Sequence, residues 1–306
     1  MNDLTEVFGL HDNADITSAI SATDTILGSA LSLQPRATSS SGKSQDEVLS
    51  ETCQGIIEKL PPDLDLELAK RKHPVMYEES MNTVLENEIL RFNKLLHRIR
   101  DSLKNIQLAI KGEVVMSAEL EEVGNALFDN RIPAVWAKVS YPSLKPLASY
   151  IVDFVERLGE VDKWIHEGKP PNFWVSGFFF TQSFLTGLKQ NFARKYTIAI
   201  DQVDWDYEVM PDATFDKSVE APDGAYIYGL YLEGCRWDQE QGCLEESEPK
   251  VLYTKMPFIW LKPTKRDEIV EKHTYTCPVY KTLARFGVLS TTGHSTNFVC
   301  MIELTM

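Results

Sequence analysis

The pattern of apolar and polar residues divides the chain into a helical first half and a strand-rich second half. Its longest regular feature is an apolar stripe from Leu85 to Ile110, in which the spacing alternates between four and three residues. This spacing predicts one long helix with a single buried face, ended by Gly112. Such a stripe can serve a two-stranded coiled coil or a bundle within one chain. We favour the bundle, because shorter helical patterns surround the stripe.

Shorter helices are predicted on both sides of the long one. Helical patterns occur at Ser18–Leu33, Gln45–Lys59 and Ser117–Phe128, in an acidic segment at Asp63–Lys72, and from Tyr141 to a stop at Gly168. The serine-rich segment Pro35–Gln45 is low in hydrophobicity, which predicts a mobile loop.

Beyond Tyr196 the hydrophobic period changes to that of a strand. Val203–Val209 alternates strictly, whereas Ala225–Glu233 is apolar on both faces, as expected for an interior strand, with Gly229 as a candidate bulge. Further short strands are predicted at Thr197–Ile200, Val251–Thr254, Phe258–Leu261, His273–Thr276, Val288–Thr291 and Phe298–Glu303. Short strands punctuated by prolines and glycines indicate an antiparallel barrel or sandwich.

The segment Pro170–Tyr196 joins the two halves and is rich in large apolar side chains. They are Phe173, Trp174, Phe178, Phe179 and Phe180, followed by Phe184 and Leu188 on one face of a predicted helix. Thr181 is the predicted N-cap of that helix. Because these aromatic side chains are too many to leave in water, we predict a buried structural junction. An exposed aromatic docking groove is the alternative.

Composition narrows the range of functions. The protein has 306 residues and a net charge of −14, which makes nucleic acid and anionic membranes poor partners. No apolar run reaches the roughly 20 residues that span a bilayer, and the first ten residues do not resemble a secretory signal. The five cysteines form no CxxC pair, and their odd number without a signal peptide predicts reduced thiols in a cytosolic compartment. Cys235 and Cys243 could still meet across a hairpin.

One stretch imitates part of a nucleotide-binding motif. Gly42-Lys43-Ser44 ends like a P-loop, but Ala37 stands where the motif needs glycine, and no strand precedes it. We therefore expect no nucleotide there.

Other candidate sites also favour structural interpretations. Asp204, Asp206 and Glu208 share one strand face, but without a glycine turn we expect a solvated face and not a calcium site. No nucleophile or histidine motif is present, so we expect no catalytic, cofactor-binding or metal-binding residues in this protein. Arg236 and Trp237 are a candidate protein interface, with packing at the rim of the barrel as the alternative.

Several long segments together resemble one family. They include VFGLHDNADI, KHPVMYEESMNTVL, SYPSLKPLASY, FWVSGFFFTQSFLTGLKQNFARKY, DGAYIYGLYLEGCRWD, PKVLYTKMPFIWLKP and CPVYKTLARFGVLSTTGHSTNFVCMIEL. They occur in order over nearly the whole sequence and resemble the C-terminal end of dynein heavy chains, particularly axonemal ones.

The resemblance implies an α+β fold with two parts. Residues 1–130 would form the helical small subdomain of the sixth AAA+ module. Residues 131–306 would form the C-terminal domain, with helices over 131–196 and an antiparallel, partly open β-barrel over 197–306.

In that family the C-terminal domain is a non-catalytic cap that braces and regulates the AAA+ ring. The whole heavy chain would then be an ATP-driven, minus-end-directed microtubule motor for ciliary beating in the cytoskeleton of the axoneme. Its partners would be the other AAA+ modules, intermediate and light chains and microtubules, with ATP and Mg²⁺ bound only outside this region. The alternative from a different class is a free-standing acidic protein-binding module.

Overall fold

A computed structural model describes residues 44–306, except 212–213, 250, 252, 270–273 and 282–297. It also describes five residues that precede residue 44. Those five are Ala19, Ala22, Thr23, Ile26 and Leu27, and all are helical. Most of the predicted helix Ser18–Leu33, nearly all of the predicted loop Pro35–Gln45 and the predicted strand Val288–Thr291 lie outside the described residues.

Seven α-helices lie between residues 44 and 306 in the described part of the protein. They are α1 (Gln45–Lys59), α2 (Leu66–Lys72), α3 (Ser80–Ile110), α4 (Ala118–Phe128), α5 (Ala134–Ala137), α6 (Leu147–Glu167) and α7 (Thr181–Lys195). The helix expected from Tyr141 begins later, at Leu147. Pro146 explains the delay, because a proline disfavours helical backbone in the residue before it but fits well at a helix start.

The long helix α3 is the centre of a bundle. Its apolar stripe is buried from Leu85 to Ile106 by α1, α2 and α4–α7, which all contact it. Gly112 ends it in the left-handed region at φ 79°, and the amide of Glu113 donates to Leu108 O at 2.9 Å. Other helices of the same molecule therefore cover the stripe, as packing within a bundle requires.

Ten strands form two four-stranded sheets and a hairpin within the described residues. The strands are β1 (Asn172–Trp174), β2 (Val203–Val209), β3 (Ala225–Tyr228), β4 (Tyr231–Glu233), β5 (Cys235–Asp238), β6 (Cys243–Glu246), β7 (Tyr253–Lys255), β8 (Ile259–Lys265), β9 (Thr274–Tyr280) and β10 (Phe298–Thr305). The first sheet has the order β1-β3-β8-β2 and the second the order β10-β9-β4-β7, while β5 pairs with β6. All pairings are antiparallel except that of β1 with β3.

Two strand predictions are wrong in detail. The predicted single strand Ala225–Glu233 is broken at Gly229, which has φ 84°, so that β3 and β4 belong to different sheets. The predicted strand Thr197–Ile200 is absent, because Thr197 has φ 54° and a short 3-10 turn begins at Ile200. A positive φ interrupts the extended backbone in both places.

The α+β class is confirmed, but the barrel is not. The strands described form separate sheets, and none of these closes on itself. The edge strands β2 and β10 approach each other where the Tyr207 hydroxyl donates to Met301 O at 3.2 Å. One hydrophobic core runs continuously from Cys53 in α1 to Leu304 in β10. Among the described helices, none has the length and apolarity needed to cross a membrane.

Candidate functional site

The junction segment, Asn172–Phe180, connects α6 to α7 and also contributes a strand. Phe173 pairs with Ile227 and Trp174 with Tyr228 as β1 runs parallel to β3. A 3-10 turn at Val175–Gly177 then leads towards α7. The segment therefore lies between the helices and the first sheet.

An aromatic cluster fills the buried side of the junction segment. Phe178 stacks on Phe184 of α7 with ring centroids 4.6 Å apart, and Phe173 lies 4.9 Å from Phe184. Trp164 of α6 lies 5.4 Å from Phe173. These four side chains and Leu188 are buried, as a structural junction requires.

The other two phenylalanines have different surroundings. Phe179 is partly buried in the helical core, 5.4 Å from Phe92 and 5.8 Å from Tyr141. Phe180 is 48% exposed, with the Arg91 guanidinium 5.0 Å from its ring centroid. The expectation of burial is wrong for Phe180, because consecutive side chains point in different directions and the third leaves the core as α7 begins.

Glu88 of α3 caps the start of α7 from outside that helix. Only 1% of it is exposed, and its carboxylate accepts hydrogen bonds from the amides of Phe179 (2.5 Å) and Phe180 (3.1 Å). The predicted cap, Thr181, is instead the first helical residue, and its buried hydroxyl has no partner among the described residues. Burial raises the pKa of Glu88, while the two amides and Arg91 oppose the rise.

An ion pair within α6 lies beside this cap. Arg157 Nε donates to Asp153 Oδ2 at 2.7 Å, and both side chains are at most 5% exposed. The guanidinium also donates to Ser176 O at 2.7 Å and lies over the rings of Tyr141 (4.1 Å) and Trp174 (5.2 Å). Arg157 therefore fastens the junction segment to α6.

Further groups hold Asp153 in its charged form. The Tyr141 hydroxyl donates to it at 2.8 Å and Lys145 Nζ at 2.7 Å. Burial works to raise the pKa of Asp153, but the charges and hydrogen bonds of Arg157 and Lys145 outweigh it and lower that pKa below 3.8. These donors compensate the buried charge of Asp153, so removing one of them leaves a buried carboxylate with fewer partners.

The network reaches the sheets at the break between β3 and β4. The Ser176 hydroxyl donates to Gly229 O. Gly229 also lies against Trp174: a Cβ at this position would be 2.3 Å from Trp174 Cδ1. The series of hydrogen bonds thus runs from Asp153 through Arg157 and Ser176 to Gly229, and so from the helical bundle to the sheets.

Lys281, at the end of β9, is electrostatically linked to the same network. Its surroundings lower its pKa to about 8, mainly through burial and then through the positive charge of Arg157. Asp153 and Glu88 oppose this shift. The ammonium is therefore near its titration point at mildly alkaline pH.

We define the junction network as Glu88, Asp153, Arg157, Ser176 and Gly229. The sequence drew attention only to Gly229, as a candidate bulge, and not to the four polar residues. A signal was present for Glu88, because it is three residues after Leu85 and four before Phe92, and therefore lies on the buried stripe. A charge at such a position predicts a buried partner, but the sequence does not say which one.

The carboxylates of β2 are engaged locally. Asp204 lies 3.4 Å from Lys189 Nζ and accepts the amide of Trp205, and Asp206 accepts the amide of Tyr207. Within the described residues, no group of three or more His, Cys, Asp or Glu is placed to hold a metal ion. β2 is an edge strand of the first sheet, and charged side chains on an edge strand disfavour pairing with a strand of another molecule.

Arg236 and Trp237 lie in the β5–β6 hairpin. Arg236 Nη2 donates to Glu245 Oε2 at 2.5 Å across the hairpin, and Trp237 pairs with Leu244. Trp237 is partly buried against the core and lines a groove of about 560 Å³ between β2 and β10. This environment favours rim packing over an exposed hot spot.

Ser44 has a structural role that the P-loop comparison missed. Its hydroxyl accepts from the amide of Glu47 at 3.2 Å, and its own amide donates to the Glu47 carboxylate at 2.8 Å. This reciprocal pair is a capping box at the start of α1. Gly42 and Lys43 lie outside the described residues.

Comparisons with known proteins agree on one family. The family model for the C-terminal domain of dynein heavy chains matches residues 20–306. Dynein axonemal heavy chain 3 of Mus musculus is 52% identical over 299 residues, and dynein axonemal heavy chain 12 of Homo sapiens is 53% identical over 301 residues. Each alignment covers 98% of the present sequence, but only 7% and 10% of those relatives. Dynein axonemal heavy chain 1 of Homo sapiens is 47% identical over 304 residues, with 99% and 7% covered.

Proposed function

Because this protein belongs to the family of C-terminal domains of dynein heavy chains, we propose that it is the C-terminal cap of an axonemal dynein heavy chain. In this role it braces and regulates the AAA+ ring of an ATP-driven, minus-end-directed microtubule motor. The motor acts in the axoneme of a cilium or flagellum and drives its beating. The cap performs no catalysis itself, and ATP, Mg²⁺ and microtubules bind to other parts of the heavy chain.

The proposal of a bracing role rests mainly on the junction network. A brace transmits force only if its parts move together, and this network ties the bundle to the sheets through buried, charge-assisted hydrogen bonds. Arg157 is 5% exposed and Glu88 is 1% exposed, so water does not compete for these contacts. The continuous core supports the same role.

Exposed apolar side chains on the bundle support contact with another AAA+ module of the same heavy chain. Val115 is 86% exposed, and Val114, Met116 and Phe128 are also exposed. Met116 and Phe128 line a groove of about 110 Å³ between α1 and α4. Clustered apolar surface of this kind marks a protein contact. In this proposal, intermediate chains, light chains and microtubules bind to other parts of the parent complex and not to this domain directly.

The division into two parts follows from the same proposal. Residues 1–130 form the small subdomain of the sixth AAA+ module, and residues 131–306 form the C-terminal domain. The helices after residue 130, α5–α7, pack on α3 and so join the two parts.

A substitution in the whole heavy chain tests the bracing role. Val115→Asp places a charge in the proposed contact, and we expect altered microtubule-stimulated ATPase activity with normal nucleotide affinity at the ring. Val219→Asp is the matched control, because Val219 is 53% exposed on the sheet side. Unchanged ATPase activity in Val115→Asp, or an equal change in Val219→Asp, would contradict the proposal.

A further inference from the structure

The groove beside Trp237 lies between the outer edges of the two four-stranded sheets. β2 is an edge strand of the first sheet, and β10 is an edge strand of the second. The two edges meet where the Tyr207 hydroxyl donates to Met301 O at 3.2 Å, and beside that contact they border the groove of about 560 Å³. A volume of this size is typical of clefts that bind ligands.

The edge of β10 presents backbone hydrogen-bonding groups to this groove. Met301 is opposite Pro278 of β9, and because proline has no amide hydrogen, the two residues form a non-hydrogen-bonded pair. The backbone groups of Met301, and by alternation those of Glu303 and Thr305, therefore point away from β9. Within the described residues, only Met301 O has a partner on that side, which is Tyr207. The stretch from Met301 to Thr305 offers roughly 14 Å of edge to an added strand.

The walls of the groove combine apolar surface with negative charge. The apolar part comes from three strands and is supplied by Val209, Trp237 and Leu304. The charged side chains among the described residues that line the groove are all acidic, namely Asp206, Glu208 and Glu303. Glu208 and Glu303 are exposed and have no ion-pair partner in the described part of the protein, whereas Lys262 lies 3.9 Å from Asp206. Such a wall attracts a positively charged ligand and repels an acidic one.

We propose that this groove binds an extended basic peptide segment of a partner protein, which adds a strand to the edge of β10. The main chain of the peptide hydrogen bonds to the backbone of Glu303 and Thr305, and its alternate side chains point to opposite faces. Glu303 is exposed and Leu304 is 2% exposed, so the two faces of β10 differ in polarity. Lysine or arginine side chains of the peptide lie on the face of Glu303, and apolar side chains lie on the face of Leu304. The occupant is therefore a segment in which basic and apolar residues alternate.

The carboxylates of β2 make this binding selective for a basic strand. Charged side chains on an edge strand disfavour an apolar or acidic strand beside it. The amides of Trp205 and Tyr207 already donate to Asp204 and Asp206, so β2 has fewer donors to offer than β10. Opposite charges on neighbouring strands attract, so Glu208 favours a lysine on the added strand. We therefore expect main-chain hydrogen bonds to β10 and charge contacts to both edges.

The test measures, by fluorescence anisotropy, how a labelled heptapeptide of alternating lysine and valine binds to the 306-residue protein. The salt concentration is about 0.15 M, at which exposed charges are screened beyond about 8 Å. We expect saturable binding, and none for the peptide in which glutamate replaces lysine. Glu303→Lys should weaken the affinity for the lysine peptide roughly fivefold to tenfold, because an attraction becomes a repulsion. Glu156→Lys makes the same change in charge at an exposed position of α6 and should leave the affinity unchanged.

A second probe separates strand pairing from general attraction to an acidic protein. It is the same lysine peptide with every amide N-methylated, which keeps the charge but cannot donate main-chain hydrogen bonds. We expect this probe to bind at least about tenfold more weakly. A photoreactive group on the unmethylated peptide should cross-link to residues 206–209 or 303–305. No saturable binding, equal affinity of the methylated probe, equal effects of Glu303→Lys and Glu156→Lys, or cross-links found only outside the groove would each overturn the proposal.

Discussion

Replacement of Arg157 by leucine is the strongest single test of the junction network. The substitution removes the 2.7 Å ion pair with Asp153 and the 2.7 Å hydrogen bond to Ser176 O. Removing one partner of a buried ion pair costs about 3–5 kcal/mol, because the other charge stays buried without it. Lys145 still pairs with Asp153 and places the expected loss towards the lower end of that range. A loss of this size is a large part of a typical stability of about 5–15 kcal/mol.

The measurement is the free energy of unfolding in urea, followed by circular dichroism at pH 7. Arg98→Leu is the matched control, because Arg98 pairs with Glu119 at a similar 2.6 Å while both side chains are about half exposed. An exposed pair contributes only about 0–1 kcal/mol. Equal losses for Arg157→Leu and Arg98→Leu would refute the reasoning from burial.

A double-mutant cycle measures the interaction energy between Asp153 and Arg157 separately from their contacts with other groups. Asp153→Leu combined with Arg157→Leu removes both charges, so the double variant should be more stable than the sum of the single losses predicts. The stability supplied by Asp153 should be complete above its ordinary pKa of 3.8 and disappear as the pH falls below it, since folding lowers this pKa. Additive losses in the cycle would show that the two residues act independently.

Three further predictions concern the same structure. Gly229→Ala should cost about 1–3 kcal/mol in urea unfolding, because the added methyl overlaps Trp174; Gly242→Ala is the control, since Gly242 also has a positive φ but open space around it, and an equal loss would contradict the overlap. Lys281 has a folded pKa of about 8 and an ordinary value of 10.5, so stability should rise as the pH increases from about 8 to 10.5. Lys281→Met should remove that rise, and an unchanged pH profile would exclude Lys281 as its source. Calorimetric titration with ATP and Mg²⁺ should give no saturable binding, because Ser44 caps α1. In the same titration followed by NMR, chemical shift changes centred on residues 37–45 would contradict this.

Local sequence patterns predicted the elements that bury one continuous face. The stripe predicted the buried side and the last residue of α3, although the helix begins at Ser80, five residues before the stripe. The alternation predicted the bounds of β2, and both periods follow directly from backbone geometry. The capping box at Ser44 was not predicted, although its two residues, Ser44 and Glu47, lie only three positions apart and have the residue types of that motif.

Contacts between distant segments could not be read in this way. The break at Gly229 depends on Trp174, which lies more than fifty residues earlier in the sequence. The cap of α7 comes from Glu88 on another helix, so a search for a local capping residue chose Thr181 instead. Pro263 lies within β8, where a proline normally argues against a strand, but its partner on β2 is Trp205, whose amide donates to Asp204.

Coupling of the helices to the sheets by the junction segment is tested most directly by native-state hydrogen exchange on Phe179→Ala. Phe179 is partly buried against Phe92 and Tyr141, and its amide is bound by Glu88. Losing a large buried aromatic side chain costs about 3–5 kcal/mol when burial is complete, so we expect a smaller but measurable loss. Coupling predicts faster exchange in residues 145–200 and in the described strands of 225–303 together. Faster exchange confined to one of these regions, or unchanged exchange in both, would contradict it.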